Sequence, residues 1–274
     1  MKRIYVLIIT VVMFACLFIF TGCTDKKEIT NSKQSDNAIS NQTNTVNKND
    51  MNVVNYKEAA EKQMAIPEDG EMIATIKIKK FGEIKVKFFS NVAPKAVENF
   101  TTHAQNGYYD GLTFHRVINE FMIQGGDPTG TGTGGESIWG KGFGTEISKE
   151  LVPYRGTLCM AMSSEPNSIG SQFFITQANY SEDMENMIKT YYPKAYSKDL
   201  LEQYKQYGGY LSLYQNYTVF GQVFEGFDVL DEIAKTETET VPLVIDGIVY
   251  GNQADKPVED VIIEKIEIST YKAN

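Results

Sequence analysis

The stretch TIKIKKFGEIKVKF at 75–88 decides the fold class, because its apolar residues recur at every second position on both sides of a Phe81-Gly82 corner. Ile76 and Ile78 alternate with Lys77 and Lys79, and Ile84, Val86 and Phe88 alternate with Lys85 and Lys87. Successive side chains of a strand point to opposite faces, so this pattern predicts two half-buried antiparallel strands joined by a tight turn.

Beyond the hairpin the period changes. Pro94 sits where a first helical turn tolerates it, and Ala96, Val97, Phe100 and Ala104 recur at helical spacing until Gly107 stops the run. Short apolar stretches around Phe114, Met122, Leu158, Phe173 and Val219 predict further strands. A second helix is expected from about Phe227 to Ala234, and Ile262, Ile266 and Ile268 predict a final strand. Many short strands with two helices imply a mainly β protein, a closed antiparallel barrel in which closure removes exposed edges.

The chain has 274 residues, 42% hydrophobic and 22% charged, which excludes a wholly disordered or fibrous protein. Its formal net charge of −9 argues against nucleic acid as a partner, since neutralising phosphates needs a basic face. The three cysteines have no short metal-ligand spacing, so no metal site is expected. Cys159, between Leu158 and Met160, reads as a small buried hydrophobe.

At the N-terminus Lys2 and Arg3 precede an uncharged run from Ile4 to Phe20 and then Thr21, Gly22 and Cys23. That is the order of charged, apolar and small residues found in an export signal. The Phe-Thr-Gly-Cys ending resembles the lipobox of bacterial lipoproteins, with Phe20 where leucine is usual. Residues 1–22 are therefore expected as a signal peptide, Cys23 as the lipidated residue, and the rest of the chain as extracytoplasmic and anchored to a bacterial membrane. Retention of the run as an uncleaved helix would give the same topology. From Thr24 to about Asn52 the sequence is almost devoid of large apolar residues, which predicts a flexible linker. With the amphipathic piece near Tyr56 to Met64 included, the linker is taken as residues 23–69 and the folded domain as 70–272.

Two features invite a different reading. Gly130 to Gly135 satisfies the letters G-x-G-x-x-G, but no βαβ unit surrounds it. His103 and His115, the only histidines, have no carboxylates spaced with them for metal or hydrolase chemistry; a surface role is expected for the former and a near-site role for the latter.

The blocks FHRVINEFMIQGGD at 114–127, GTGGESIWG at 132–140, GTLCMAM at 156–162 and NSIGSQFFIT at 167–176 resemble the cyclophilin family of peptidyl-prolyl isomerases. The likeness extends from about Glu71 to Ser269, including APKAVENF at 93–100 and TVFGQVFEG at 218–226. It implies an eight-stranded antiparallel barrel capped by two helices, no cofactor, and catalysis of rotation about X–Pro bonds, whose uncatalysed exchange takes tens to hundreds of seconds and can limit folding. Arg116 matches the catalytic arginine. Gln124 and Gln172 match polar residues that orient it and bind substrate backbone. Phe121, Met122, Phe174 and Leu213 match walls of the proline pocket, and Ala161, Met162 and Ser163 match the strand edge along which the peptide lies. His115 belongs to the same substrate-binding set. Tyr217 stands where compact members have histidine, and Met162 where asparagine is usual. Trp139, the only tryptophan, lies away from the position many members use to bind cyclosporin.

Between Phe174 and Phe220 the chain carries about thirty more residues than compact members, a helical insertion over 180–214 placed before a late barrel strand. Helix starts are read at Ser181 and Ser197, with Pro193 between them and Gly208-Gly209 at the end. The nine tyrosines from Tyr180 to Tyr217 are read as a packing face for a helical hairpin, with a sticky peptide-binding surface as the alternative. The resemblance and the export signal together imply a monomeric, membrane-tethered isomerase acting on proline-containing exported chains. The competing reading is a non-catalytic chaperone or peptide-binding lipoprotein using the same barrel.

Overall fold

The computed structural model describes residues 54–191, 196–245 and 248–273. The signal-like segment, Cys23 and the polar run as far as residue 53 lie outside the described residues, as does Pro193.

Strands β1 (Met72–Ile78) and β2 (Gly82–Phe88) form the hairpin that the alternation predicts, with Ile76 opposite Ile84 and Ala74 opposite Val86. On its other side β1 pairs with β10 (Ile263–Thr270), where Ile76 meets Ile266. Five more strands, β3 (Arg116–Ile118), β4 (Met122–Gly125), β5 (Thr157–Met160), β6 (Phe173–Thr176) and β7 (Val219–Glu225), complete an eight-stranded antiparallel sheet in the order β10-β1-β2-β7-β5-β6-β4-β3. The strand expected around Phe114 starts two residues later, at Arg116.

The sheet curls but does not close. Its edges are β3 and β10, so the expected closed barrel becomes an open one, spanned among the described residues by a single isolated bridge, Thr113 to Ile262. The reason is local. β3 ends after three residues at a tight turn in which Glu120 takes a left-handed conformation (φ 58°). The chain ahead of β3 makes only scattered backbone bonds to the start of β10, such as Phe114 N to Val261 O at 2.9 Å and Ile263 N to Leu112 O at 2.8 Å. A separate hairpin, β8 (Thr238–Ile245) and β9 (Ile248–Pro257), was not expected from the sequence, and β9 lies against β3.

Residues on the inner face of the sheet fill the main core with Phe114, Val117, Ile123, Leu158, Phe173, Ile175 and Phe220. Two helices cover it. Five helices in all are described: α1 (Tyr56–Met64), α2 (Pro94–Gln105), α3 (Glu182–Tyr191), α4 (Lys198–Tyr207) and α5 (Phe227–Ala234). The two that cap the main core are α2, through Ala96, Val97, Phe100 and Ala104, and α5, through Val229, Leu230, Ile233 and Ala234. The Phe100 ring lies 5.1 Å from that of Phe173 and 5.4 Å from that of Phe220. No side chain of its own caps α2; instead the Glu146 carboxylate, some fifty residues away, accepts from Lys95 N at 3.2 Å and Ala96 N at 2.9 Å. A carboxylate there satisfies orphan amides and complements the positive end of the helix dipole.

Part of the span expected as linker, residues 54–69, belongs to the folded domain. Residues 56–64 form α1, begun by Asn55, whose side chain accepts from Glu58 N, and docked on the folded domain. Ala60 and Gln63 are buried, and the Lys87 amine donates to Lys62 O at 2.9 Å, meeting the carbonyl end of the helix. The apolar side of α1 is too short to register as a strong period, and it buries only because α4 and the insertion supply a partner surface. Ala60 joins Val152, Tyr154, Ile188, Leu200, Tyr204, Leu211 and Tyr214 in a second core.

That second core settles the role of the insertion tyrosines. Tyr204 and Tyr214 are buried, and Tyr180, Tyr196 and Tyr207 each make an edge-on or tilted contact with another tyrosine ring, so most of the rings serve packing. Ser197 caps α4 by accepting from Leu200 N at 3.1 Å, and Ser181 Oγ accepts from Met184 N at 3.3 Å at the start of α3. The two helices are clasped by Glu185, buried on α3. Its carboxylate takes Lys189 at 2.5 Å, Lys205 of α4 at 3.1 Å and the Tyr180 hydroxyl at 2.5 Å.

Candidate active site

The register of the sheet places the site. Arg116 on β3 is opposite Gln124 on β4, Gln124 is opposite Phe174 on β6, and Phe174 is opposite Cys159 on β5. Directly paired residues share a face, so one row of side chains runs across four strands on the side away from the main core. Met122, two residues before Gln124, stands on the same face. Leu151, Leu213 and Val219 cover this row and form a third apolar cluster, joined by Phe121, Ala161, Tyr210 and Tyr217.

A cavity of about 350 Å³ opens there, lined by His115, Arg116, Phe121, Met122, Gln124, Ala161, Met162, Phe174, Leu213 and Tyr217, with Thr131, Gly132 and Thr133 on its rim. One wall is apolar and aromatic. The Phe121 ring sits 4.3 Å from Tyr210, and Phe174 meets Tyr217 edge to face at 5.4 Å. The other wall is polar. Arg116 Nη1 reaches Gln124 Oε1 at 3.4 Å, Gln124 Nε2 donates to Gln172 Oε1 at 2.9 Å, and Gln172 Nε2 donates to Gly132 O at 3.0 Å and Gly134 O at 2.8 Å. The guanidinium is held from behind by Asp255 of β9, whose Oδ2 accepts from Nε at 2.6 Å.

Two residues of the expected set stand apart from the cavity wall. Gln172 acts through Gln124, as above. Ser163 is exposed in a small turn in which its amide donates to Ser168 Oγ at 3.0 Å and its own hydroxyl accepts from Glu165 N at 3.2 Å, so it does not extend the strand edge. Asp255, Tyr210 and the rim residues 131–133 were not anticipated. Tyr210 could have been found from its place beside Leu213, whereas nothing near Asp255 in the sequence distinguishes it from a solvated acid.

The glycine-rich segment folds around a protein carboxylate. Asp127 accepts from the amides of Thr129 (2.8 Å), Thr131 (3.1 Å), Gly132 (2.7 Å) and Gly134 (3.2 Å), and from the Thr129 hydroxyl (2.8 Å). These donors, which a phosphate would need, are already taken. Burial alone would raise the Asp127 carboxyl, but the bonds from Thr129, Gly134 and Gly132 outweigh it and hold the group below its ordinary value.

His115 is buried between this cavity and a neighbouring one of about 440 Å³, which shares only His115 and Thr131 with it and contains none of the other expected site residues. Neither His115 ring nitrogen makes a full hydrogen bond, and the Thr113 backbone adds only a minor pull toward the charged form. Burial lowers its pKa, which favours the neutral ring. His103, expected at the surface, is instead buried: Nε2 pairs with Glu136 O at 3.0 Å and the ring lies 4.1 Å from that of Tyr108. The Cys159 thiol, fully buried beside its cross-strand partner Phe174, is pushed far up by burial and is chemically quiet. Trp139 packs edge-on against Phe143 away from the cavity.

The arrangement therefore sets an apolar and aromatic wall opposite a guanidinium whose Nη donors face the same cavity. Residues 73–268 match the family model described as cyclophilin type peptidyl-prolyl cis-trans isomerase. Proteins of Staphylococcus epidermidis and Staphylococcus aureus assigned as peptidyl-prolyl cis-trans isomerases are each 48% identical over 187 residues, 68% of this chain and 87% of theirs. A cyclophilin type isomerase of Cryptosporidium parvum, crystallised in the presence of the dipeptide Ala-Pro, superposes with a TM-score of 0.54 at 33% identity, covering 73% of this chain and 99% of that one. A second crystal structure of that isomerase gives a TM-score of 0.55 at 32% identity, covering 74% of this chain and 99% of that one. The chain belongs to the cyclophilin-type peptidyl-prolyl cis-trans isomerases and is an enzyme of that class.

Proposed function

We propose that this isomerase acts outside the cytoplasmic membrane, held there by a lipid on Cys23, and accelerates X–Pro isomerisation in exported polypeptides, with Arg116 as its catalytic residue. The observation that carries the catalytic assignment is the position of the Arg116 guanidinium, anchored on one edge and facing the slot formed by Phe121, Met122, Phe174 and Leu213 on the other. A proline ring suits that apolar and aromatic lining, and the Cryptosporidium relative was crystallised in the presence of the dipeptide Ala-Pro.

The barrier to rotation comes from amide resonance, which is lost in the twisted state as the nitrogen becomes pyramidal and its lone pair localises. An arginine N–H aimed at that nitrogen bonds it more strongly when twisted than when planar. This is differential binding of the transition state, and each 1.36 kcal/mol gained is about tenfold in rate. Arginine suits the task because it stays charged and presents donors in a rigid fork. Gln124, held by Gln172, keeps the fork in register. Ala161 and Met162 border the groove in which the substrate backbone would lie, His115 and Tyr217 close its ends, and the enzyme works as a monomer.

The membrane assignment rests on the Lys2-Arg3, apolar run and Cys23 order of the sequence. Two measurements test the proposal on the full-length chain. Arg116→Ala should lower kcat/KM for a cis X–Pro peptide by roughly ten- to a hundredfold, from the loss of one charge-assisted hydrogen bond; an unchanged rate would overturn the assignment. Cys23→Ala should abolish incorporation of labelled palmitate and move the protein out of the membrane fraction, and retention of both label and location would refute the anchor.

A further inference from the structure

The long hairpin β8–β9 brings an acid to the one place where the mechanism needs rigidity. Asp255 is 5% exposed, lies near the end of β9, and contacts Arg116 through a 2.6 Å bond from Nε to Oδ2. Among the described residues its second oxygen, Oδ1, is buried with no hydrogen-bond partner. A buried carboxylate that spends one oxygen on a single arginine and leaves the other unpaired is costly, and stability alone gives little reason to keep it.

We infer that Asp255 is a positioning residue for the isomerase reaction, a carboxylate strut that fixes the Arg116 side chain so that its Nη groups, and not Nε, face the substrate nitrogen. The inference rests on the proposal that Arg116 is catalytic. The five donors of a guanidinium lie in one plane. Bonding Nε from behind leaves the distal fork for the cavity, where Nη1 already leans on Gln124 at 3.4 Å. That bond is long, so Gln124 steadies the fork while Asp255 holds it. Without the carboxylate, a side chain that is 31% exposed would sample several rotamers, and only a fraction of them would present a donor to the twisted amide.

Asp255 also cancels part of the charge on Arg116, which by itself would weaken the donor. The inference therefore has a definite sign: the ordering effect exceeds the neutralising one. Rate should fall, and not rise, when the carboxylate is removed.

The experiment is a double-mutant cycle in the full-length chain, read as kcat and KM on a cis X–Pro peptide. Asp255→Ala should lower kcat by about tenfold with KM changed less than about twofold, while Asp255→Asn, whose amide oxygen can still accept from Nε, should lose less. In an Arg116→Ala background Asp255→Ala should cost nothing further, because the residue it positions is gone. A merely structural role would cost the same in both backgrounds. A second reading comes from the Arg116 Nε–H proton in NMR, expected to be shifted downfield and protected from exchange in the wild type and in Asp255→Asn, and to lose both properties in Asp255→Ala. An unchanged or raised kcat in Asp255→Ala, or an equal loss in both backgrounds, overturns the inference while leaving the Arg116 assignment intact. A wild-type rate in Arg116→Ala alone overturns both.

Discussion

Gln63 pairs with Val152 as a neighbouring strand would: its Nε2 donates to Val152 O at 2.7 Å, and its Oε1 accepts from Val152 N at 3.0 Å. The same amide also lies 3.2 Å from Gln222 Oε1 and 3.3 Å from Thr157 Oγ1. One side chain on α1 thus satisfies both backbone groups of a residue that no strand reaches.

Removing that side chain leaves the buried Val152 N–H without its partner, while Val152 O keeps the bond from the Tyr154 amide at 2.7 Å. Gln63→Ala should destabilise the fold by about 1–3 kcal/mol, the cost of one orphaned buried group. A chain beginning at residue 70, the start of the folded domain as read from the sequence, should lose at least as much and expose the apolar surface under α1. Urea unfolding of the three proteins measures this, and equal midpoints for all of them would show that α1 is only an attachment.

The acid sensitivity of the insertion follows from Glu185. Hydrogen bonds from Lys189 and Tyr180, and then Lys205, outweigh burial and draw its carboxyl down to about 2. An unfolded glutamate titrates near about 4.3. The folded value is the lower one, so the stabilisation is complete above the unfolded value, starts to fade as pH drops below about 4, and is gone near 2. Amide exchange over α3 and α4 should therefore quicken between about pH 4 and 2, ahead of the main core. Glu185→Gln should flatten that dependence while loosening the helices at neutral pH, and an identical acid profile in the variant would argue against the clasp.

Asp127 organises the rim of the active site as well as its own loop. Asp127→Ala takes the acceptor from four backbone amides, while the Thr129 hydroxyl keeps its bond to Thr131 Oγ1, and should cost about 2–4 kcal/mol in thermal or urea unfolding. Because Gly132 and Gly134 hold Gln172, which holds Gln124, kcat/KM should fall in the same variant even at temperatures where it is fully folded. A folded variant with the wild-type rate would separate the loop from catalysis.

How far the sequence could be read depends on the range of the interactions involved. The β1–β2 hairpin, α2, α5 and the two insertion helices declare themselves through local alternation, Pro94, and capping serines. Their determinants lie within a few residues of each other. Three features depend on partners far along the chain and leave no local trace. The Nε bond to Asp255 joins residues 139 positions apart. Gln63 reaches Val152 across 89 positions, so α1 reads as linker until its partner surface is known. The β8–β9 hairpin is hidden because register shifts at Glu239/Val241 and Leu243/Val244 break its alternation. For the site itself, the cavity lining coincides with the motif residues on β3, β4 and β6 because those strands are adjacent. Ser163 departs because the chain turns immediately after Met162, through the Ser163–Ser168 contacts.

The openness of the sheet bears on how the enzyme avoids its own substrates. An uncovered strand is a template on which any extended chain can add by backbone pairing, and a prolyl isomerase meets chains in that state. Neither edge offers such a template. β3 is three residues long and overlaid by β9, while β10 presents Glu264, Lys265 and Glu267, the last paired with Lys77 at 2.9 Å. A polypeptide leaving the enzyme therefore meets a short, covered edge or a charged one, and neither favours its adding as a further strand.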